Sequence, residues 1–163
     1  NGELQLTITN DGVTSAPVDL SVNTTSPGLL ALSNFFVAGH QYVVAQHLDG
    51  TYVLPAGAIS GINSSPAKPG ETIVIYGIGF GAVTPATPVG QVASGDSQLV
   101  LALEFQFGGT PAVSSYSGLS PDLVGLYQFN LTVPDVPDND LVPLTFNLGG
   151  TPGTQTLFTA VHQ

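Results

Sequence analysis

Gly77-Ile78-Gly79-Phe80-Gly81-Ala82 has the G-x-G-x-x-A spacing of a dinucleotide-binding turn. It follows an apolar run, and Asp96 lies about where an acid would meet the ribose. Chemistry at such a turn needs a helix whose N-terminus holds the pyrophosphate. Here Val83-Thr84-Pro85-Ala86-Thr87-Pro88 follows, and its prolines oppose a helix. The glycines therefore read as a bend at the end of a strand. Asp135, Asp138 and Asp140 cluster with Asn139 in a proline-containing loop. Such oxygens are candidate Ca²⁺ ligands, although the spacing fits no EF-hand and Asp-Asn also favours turns.

The remaining chemical residues are scattered. His40, His47 and His162 lack metal-ligand spacing, and His47 with Asp49 reads as flanking a hairpin turn. Ser114, Ser115 and Ser117 sit beside Tyr116 without the G-x-S-x-G elbow of a serine hydrolase. Glu3, Glu71 and Glu104 fall in different predicted elements, so no facing carboxylate pair is foreseen. No catalytic constellation emerges, and the expectation is a chain that is not an enzyme and has no cofactor. Asn23, Asn63 and Asn130 begin Asn-x-Ser/Thr sequons and are candidate glycosylation sites, though a chain rich in these residues supplies sequons by chance. Phe35, Phe36, Tyr42, Tyr52 and Tyr116 are candidates for a sugar-stacking platform, against the commoner use of strand aromatics in a core.

Composition narrows the partners. Among 163 residues there are eleven acidic and one basic, a formal net charge of −10. Nucleic-acid binding needs cations to neutralise phosphates, and Lys68 is the only one, so no nucleic-acid partner is expected. Anionic membrane surfaces repel such a chain, and no apolar run reaches the roughly 18 residues of a membrane span. There is no Cys, Met or Trp, so disulfides cannot stabilise the fold. An acidic, neutral-polar surface with almost no tryptic site predicts an extracellular or cell-surface bacterial protein.

The elements that must position these residues are short strands. Twenty Gly and thirteen Pro punctuate the sequence, and no long stretch has helical periodicity. Residues 1–25 read as a hairpin in which Leu4, Leu6 and Ile8, then Val18, Leu20 and Val22, alternate around Asn10-Asp11-Gly12. Residues 26–58 contain a strand at 42–48, an Asp49-Gly50 turn and a return strand at 51–54. Seven strands are predicted beyond: 59–63, 72–78, 99–107, 111–116, 125–133, 141–148 and 155–161. Within 125–133, Tyr127, Phe129, Leu131 and Val133 share one face and Gln128, Asn130 and Thr132 the other.

The first hairpin repeats the last. Asn1–Val22 aligns without a gap on Asn139–Ala160, pairing Asn1 with Asn139, Leu6-Thr7 with Leu144-Thr145, Ile8 with Phe146, Gly12 with Gly150 and Leu20 with Phe158. The later copy closes a domain, whereas the earlier one has none in front of it in this sequence. That predicts a hairpin belonging to a preceding repeat, and a chain that is part of a tandem array or assembly.

Two segments resemble a known family. Pro66–Gly81 (PAKPGETIVIYGIGFG), and Gly118-Leu119-Ser120-Pro121 with Gly125–Pro134, look like the immunoglobulin-like C-terminal module of large secreted Acidobacteria proteins, the Solibacter-type module. The first also resembles the opening of IPT/TIG domains. The resemblance implies a secreted setting and a joint between immunoglobulin-like units at Ser26–Leu30 and Asp49-Gly50, but no catalytic residues.

The combined expectation is all-β: an immunoglobulin-like sandwich (59–163) preceded by a β-hairpin-rich segment (1–58). The expected role is non-catalytic, in strand-mediated self-assembly into filaments or arrays, or in adhesion. Its partners would be its own copies or neighbouring β-domains. Leu4, Leu6, Ile8, Val18, Leu20 and Val22 form the assembly strands, because unpaired strand edges recruit other strands. The alternatives are a polysaccharide- or surface-ligand-binding module, and a spacer domain of a larger secreted protein.

Overall fold

The computed structural model describes residues 2–163; Asn1, first residue of the predicted hairpin, lies outside the described residues. The chain begins with strands β1 (Gly2–Leu6), β2 (Thr9–Asn10), β3 (Val13–Thr14) and β4 (Val18–Val22). The connecting segment carries β5 (Gly28–Leu29), a 3₁₀ turn at Ser33–Phe35, β6 (Phe36–Val37), β7 (His40–Gln41), β8 (Ala45–His47), β9 (Tyr52–Val53) and β10 (Ser64–Ser65). Then come β11 (Thr72–Ile78), β12 (Val83–Thr84), β13 (Gln98–Leu99), β14 (Leu103–Phe107), β15 (Thr110–Leu119), β16 (Tyr127–Thr132), β17 (Asn139–Leu148), β18 (Thr151–Pro152) and β19 (Leu157–Val161). Among the described residues no helix is long and apolar enough to cross a membrane.

The fold is the expected all-β sandwich preceded by a hairpin. One layer runs β10-β9-β8-β11-β16-β15, with β5 also on β11. The other runs β15-β14-β17, with β18 and β19 both on β17. The first layer sets β11 against β16 and, across the core, the second sets β14 against β17 and β17 against β19. Strand β15 serves both layers. Its first half pairs with β14 and its second with β16, and a register shift between Ser114 and Tyr116 lets it turn the corner. The far side is closed by parallel bridges from Tyr42 to Phe158 and from Ala67 to Val161.

Alternation fills the core. Tyr127, Phe129, Leu131 and Val133 are all buried along β16, while Gln128, Asn130 and Thr132 are half-buried on its other face. Phe105 of the second layer meets Phe129 of the first at 5.2 Å between ring centroids, and Phe80 meets Phe146 at 5.3 Å. Burying each such ring stabilises by about 1.5–3 kcal/mol.

Three expectations shift. The strand foreseen at 59–63 is a turn, since Gly61 takes a φ of +78°, and pairing begins at Ser64 instead. The strand foreseen at 99–107 breaks after Leu99, because β13 pairs with β12 whereas β14 must reach β17. The division at 58/59 crosses the sheet: β5, β8 and β9 lie beside β11 or its neighbours, and Leu29, Val43, Ala45 and Val53 belong to the core shared with 59–163.

Candidate functional site

The hairpin of residues 2–22 stands away from this core. Every residue from Gly2 to Thr24 is exposed, and among the described residues β1 pairs only with β4, and β2 only with β3. Its register makes it two-faced. Leu4 lies opposite Leu20, and Leu6 opposite Val18, on one side; Gln5 lies opposite Asp19, and Glu3 opposite Ser21, on the other. The Gln5 Nε2 donates to Asp19 Oδ1 at 3.2 Å across that polar face.

The structure bears on the repeat in detail. The turn places Asp11 and Gly12 at φ of 48° and 79°; Gly149 and Gly150 take 57° and 85°. Thr9 pairs with Thr14 and Asn10 with Val13, as Asn147 pairs with Pro152 and Leu148 with Thr151. The Ser15 N–H donates to the Ile8 carbonyl at 2.9 Å; in the copy the Gly153 N–H donates to the Phe146 carbonyl at 2.8 Å.

Below the turn the two copies part by one residue. Leu4–Leu20 and Leu6–Val18 take the places of Val142–Thr159 and Leu144–Leu157. The gapless alignment therefore needs one gap, because residues 15–17 link β3 to β4 where 153–156 link β18 to β19. The counterpart of Leu20 is Thr159, not Phe158. With that correction, Leu4, Leu6, Ile8, Val18, Leu20 and Val22 correspond to Val142, Leu144, Phe146, Leu157, Thr159 and Val161. The latter six are 0–5% exposed and the former six 41–66%. The hairpin thus carries the core-facing side of a sandwich with no core against it.

Its stem is firmly seated. The Ser26 N–H donates to the Gly79 carbonyl at 2.9 Å, and a Cβ on Gly79 would stand 2.1 Å from the Ser26 oxygen. With a φ of +75°, Gly79 is required on both counts. The G-x-G-x-x-A motif is thus a strand-end bend against which the chain leaving β4 packs. Strand β12 follows it instead of a helix, and Asp96 is exposed in the loop before β13.

A second cluster joins residues that sequence reading kept apart. His47 at the end of β8, Ser65 at the end of β10 and Glu71 in the turn before β11 share a shallow pocket with Asp49 and Lys68. His47 Nδ1 is 3.1 Å from Glu71 Oε1, and its Nε2 is 3.2 Å from Ser65 Oγ. This is the order of a serine–histidine–carboxylate relay. The Nε2 also lies 3.2 Å from the Ser65 carbonyl oxygen, which can only accept. With the proton on Nδ1, facing the Glu71 carboxylate, Nε2 accepts from Ser65 Oγ; with the proton on Nε2, it donates to that carbonyl instead. The arrangement can clasp β8, β10 and β11 together. No local motif signals it, because its members lie on three elements. His47 and Asp49 flank the hairpin turn as expected: the His47 N–H donates to the Thr51 carbonyl at 2.8 Å, and Asp49 Oδ1 accepts the Thr51 N–H at 2.9 Å, which holds its carboxyl below the usual range.

The other predicted residues separate. Asp140 Oδ1 is 3.0 Å from His162 Nε2, Asp138 Oδ1 accepts the Gln163 N–H, and Asp135 is exposed. Among the described residues no three acidic, His or Cys side chains gather at metal-binding spacing. His40 stacks edge-on to Phe158. Ser114 Oγ bonds Ser117 Oγ at 2.7 Å beside the β15 bulge, and Ser115 Oγ turns to the Asn130 carbonyl. Asn23 and Asn63 are exposed, and Asn130 is half-buried on β16. Of the suggested sugar platform, Phe35 and Tyr42 are buried in a minor core that Tyr52 packs against, Tyr116 is half-buried, and Phe36 alone is exposed.

Fold and surface together define an all-β sandwich carrying a duplicate of its own closing hairpin. Comparison with protein-family models, with curated proteins and with solved structures finds no match for this chain.

Proposed function

We propose that this chain is a non-catalytic structural module of an extracellular array, joined to neighbouring β-domains or copies of itself through the hairpin of residues 2–22. The observation that carries the reading is the exposed apolar face of Leu4, Leu6, Ile8, Val18, Leu20 and Val22. An isolated two-stranded hairpin is marginal in water. Covering those side chains contributes about 1.5–3 kcal/mol for each one fully buried. A strand edge and an apolar face on one element suit β-augmentation, in which main-chain bonds supply affinity and side chains supply register.

The experiment is sedimentation and electron microscopy of the chain over a range of concentrations, beside Leu6→Asp/Ile8→Asp. Concentration-dependent oligomers or filaments that the double variant abolishes are expected. A chain that stays monomeric at the highest concentration, or oligomers indifferent to the variant, would remove the reading.

A further inference from the structure

We infer that the hairpin of residues 2–22 is the closing hairpin of a second sandwich of this same fold: its partner is a unit built like residues 26–138 whose β17–β19 position is unfilled. This deepens the assembly reading and rests on it. In this chain's own sandwich that position is held by residues 139–163. The hairpin matches that closing pair in turn conformation, in register around the turn, in one cross-strand bond and in six core-facing positions. What the closing hairpin touches is therefore what the exposed one lacks. Strand β14 pairs along β17 from Leu144 to Leu148, which corresponds to Leu6–Asn10. In the partner, a β14-like strand would set Phe105 opposite Ile8, Phe107 opposite Leu6 and Gln106 opposite Thr7. The facing layer would then cover Leu4, Val18, Leu20 and Val22.

A finished copy of this chain can meet the hairpin along an edge or an apolar face, but cannot seat it in the β17–β19 position. Its β17–β19 is tethered to its own sandwich, at the high effective concentration of a short connection, and contributes Phe146 and Leu148 where the exposed hairpin has Ile8 and Asn10. The fitting acceptor is an unfinished unit. Residue 138 then runs into residue 1 as it runs into residue 139 within the chain.

The test joins residues 26–138 directly to the front of the complete 163-residue chain. The complete chain folds within the fusion and serves as internal standard. The added segment is expected to fold as a second sandwich, and the amides of Leu6–Asn10 to exchange at least roughly 100-fold more slowly than in the 163-residue chain. Leu6→Asp/Ile8→Asp should unfold the added unit alone, whereas Ile8→Phe, matching Phe146, should be accepted. The chain has no cysteine. Thr7→Cys with Gln106→Cys in the added unit should therefore form one disulfide, since Gln106 pairs with Thr145, the counterpart of Thr7. An added segment that stays unfolded, or folds equally well with the aspartates, overturns the inference, as does failure of the cysteines to join. Those outcomes are separable from the assembly reading. That reading fails if the 163-residue chain never associates, whatever the fusion does.

Discussion

Tyr42 and Tyr127 show how single buried groups anchor the sandwich. Tyr127 opens β16 and donates its hydroxyl to the Gly81 carbonyl, fixing the glycine bend against the core. Tyr42 donates to the Asp140 carbonyl at 2.9 Å, tying the connecting segment to β17. Burial raises both phenols above their ordinary value of 10.0, and the Asp140 charge adds to the rise at Tyr42. A raised folded value favours the protonated, folded form. Their stabilisation is complete below pH 10.0 and is lost as pH rises through the raised values. In an alkaline titration followed by near-ultraviolet absorbance, Tyr42 and Tyr127 are expected to ionise above pH 10.0. Tyr127→Phe should remove one late step and cost about 0.5–1.5 kcal/mol by denaturant titration, for the lost hydrogen bond. A Tyr127→Phe variant that keeps every late step of the parent would refute it. Neither partner could be read from the sequence, because Gly81 and Asp140 lie on elements that meet only in the fold.

At the scale of elements, the two hairpins form a natural control. The same apolar alternation is buried in one and exposed in the other, so equivalent substitutions should differ sharply. Phe146→Ala removes a ring from the core and is expected to cost about 3–5 kcal/mol. Ile8→Ala, at the matching position, should leave the stability of the dilute monomer within about 0.5 kcal/mol. Denaturant unfolding of both variants checks this, and equal losses would mean that residues 2–22 pack within their own chain. The hairpins were legible because alternation and a glycine turn are local signals. The one-residue gap was not, since the links 15–17 and 153–156 carry no pattern. Gly61 turned an apolar stretch into a turn, and β5 and β8 joined the main sheet because β11 offered them an edge. The His47–Ser65–Glu71 cluster was invisible for the same reason: strand pairing, not spacing, gathers it.

At the scale of the whole molecule, charge opposes the association that the hairpin favours. Copies with a net charge of −10 and a single lysine repel one another at neutral pH. Glu3, Asp11 and Asp19 place part of that charge on the hairpin itself. The apolar face does not depend on salt to first order, whereas repulsion between exposed charges is screened beyond a Debye length, about 10 Å at 0.1 M and 3 Å at 1 M ionic strength. Association through residues 2–22 should therefore strengthen as salt is added, and again as pH falls toward the isoelectric point near 4.1. Sedimentation velocity across a salt series reads the effect directly, with the oligomer fraction rising at fixed protein concentration. Leu6→Asp/Ile8→Asp should flatten the response, because salt can only unmask an attraction that is present. Association that weakens with salt would instead require opposite charges at the contact, and one lysine per chain cannot supply them.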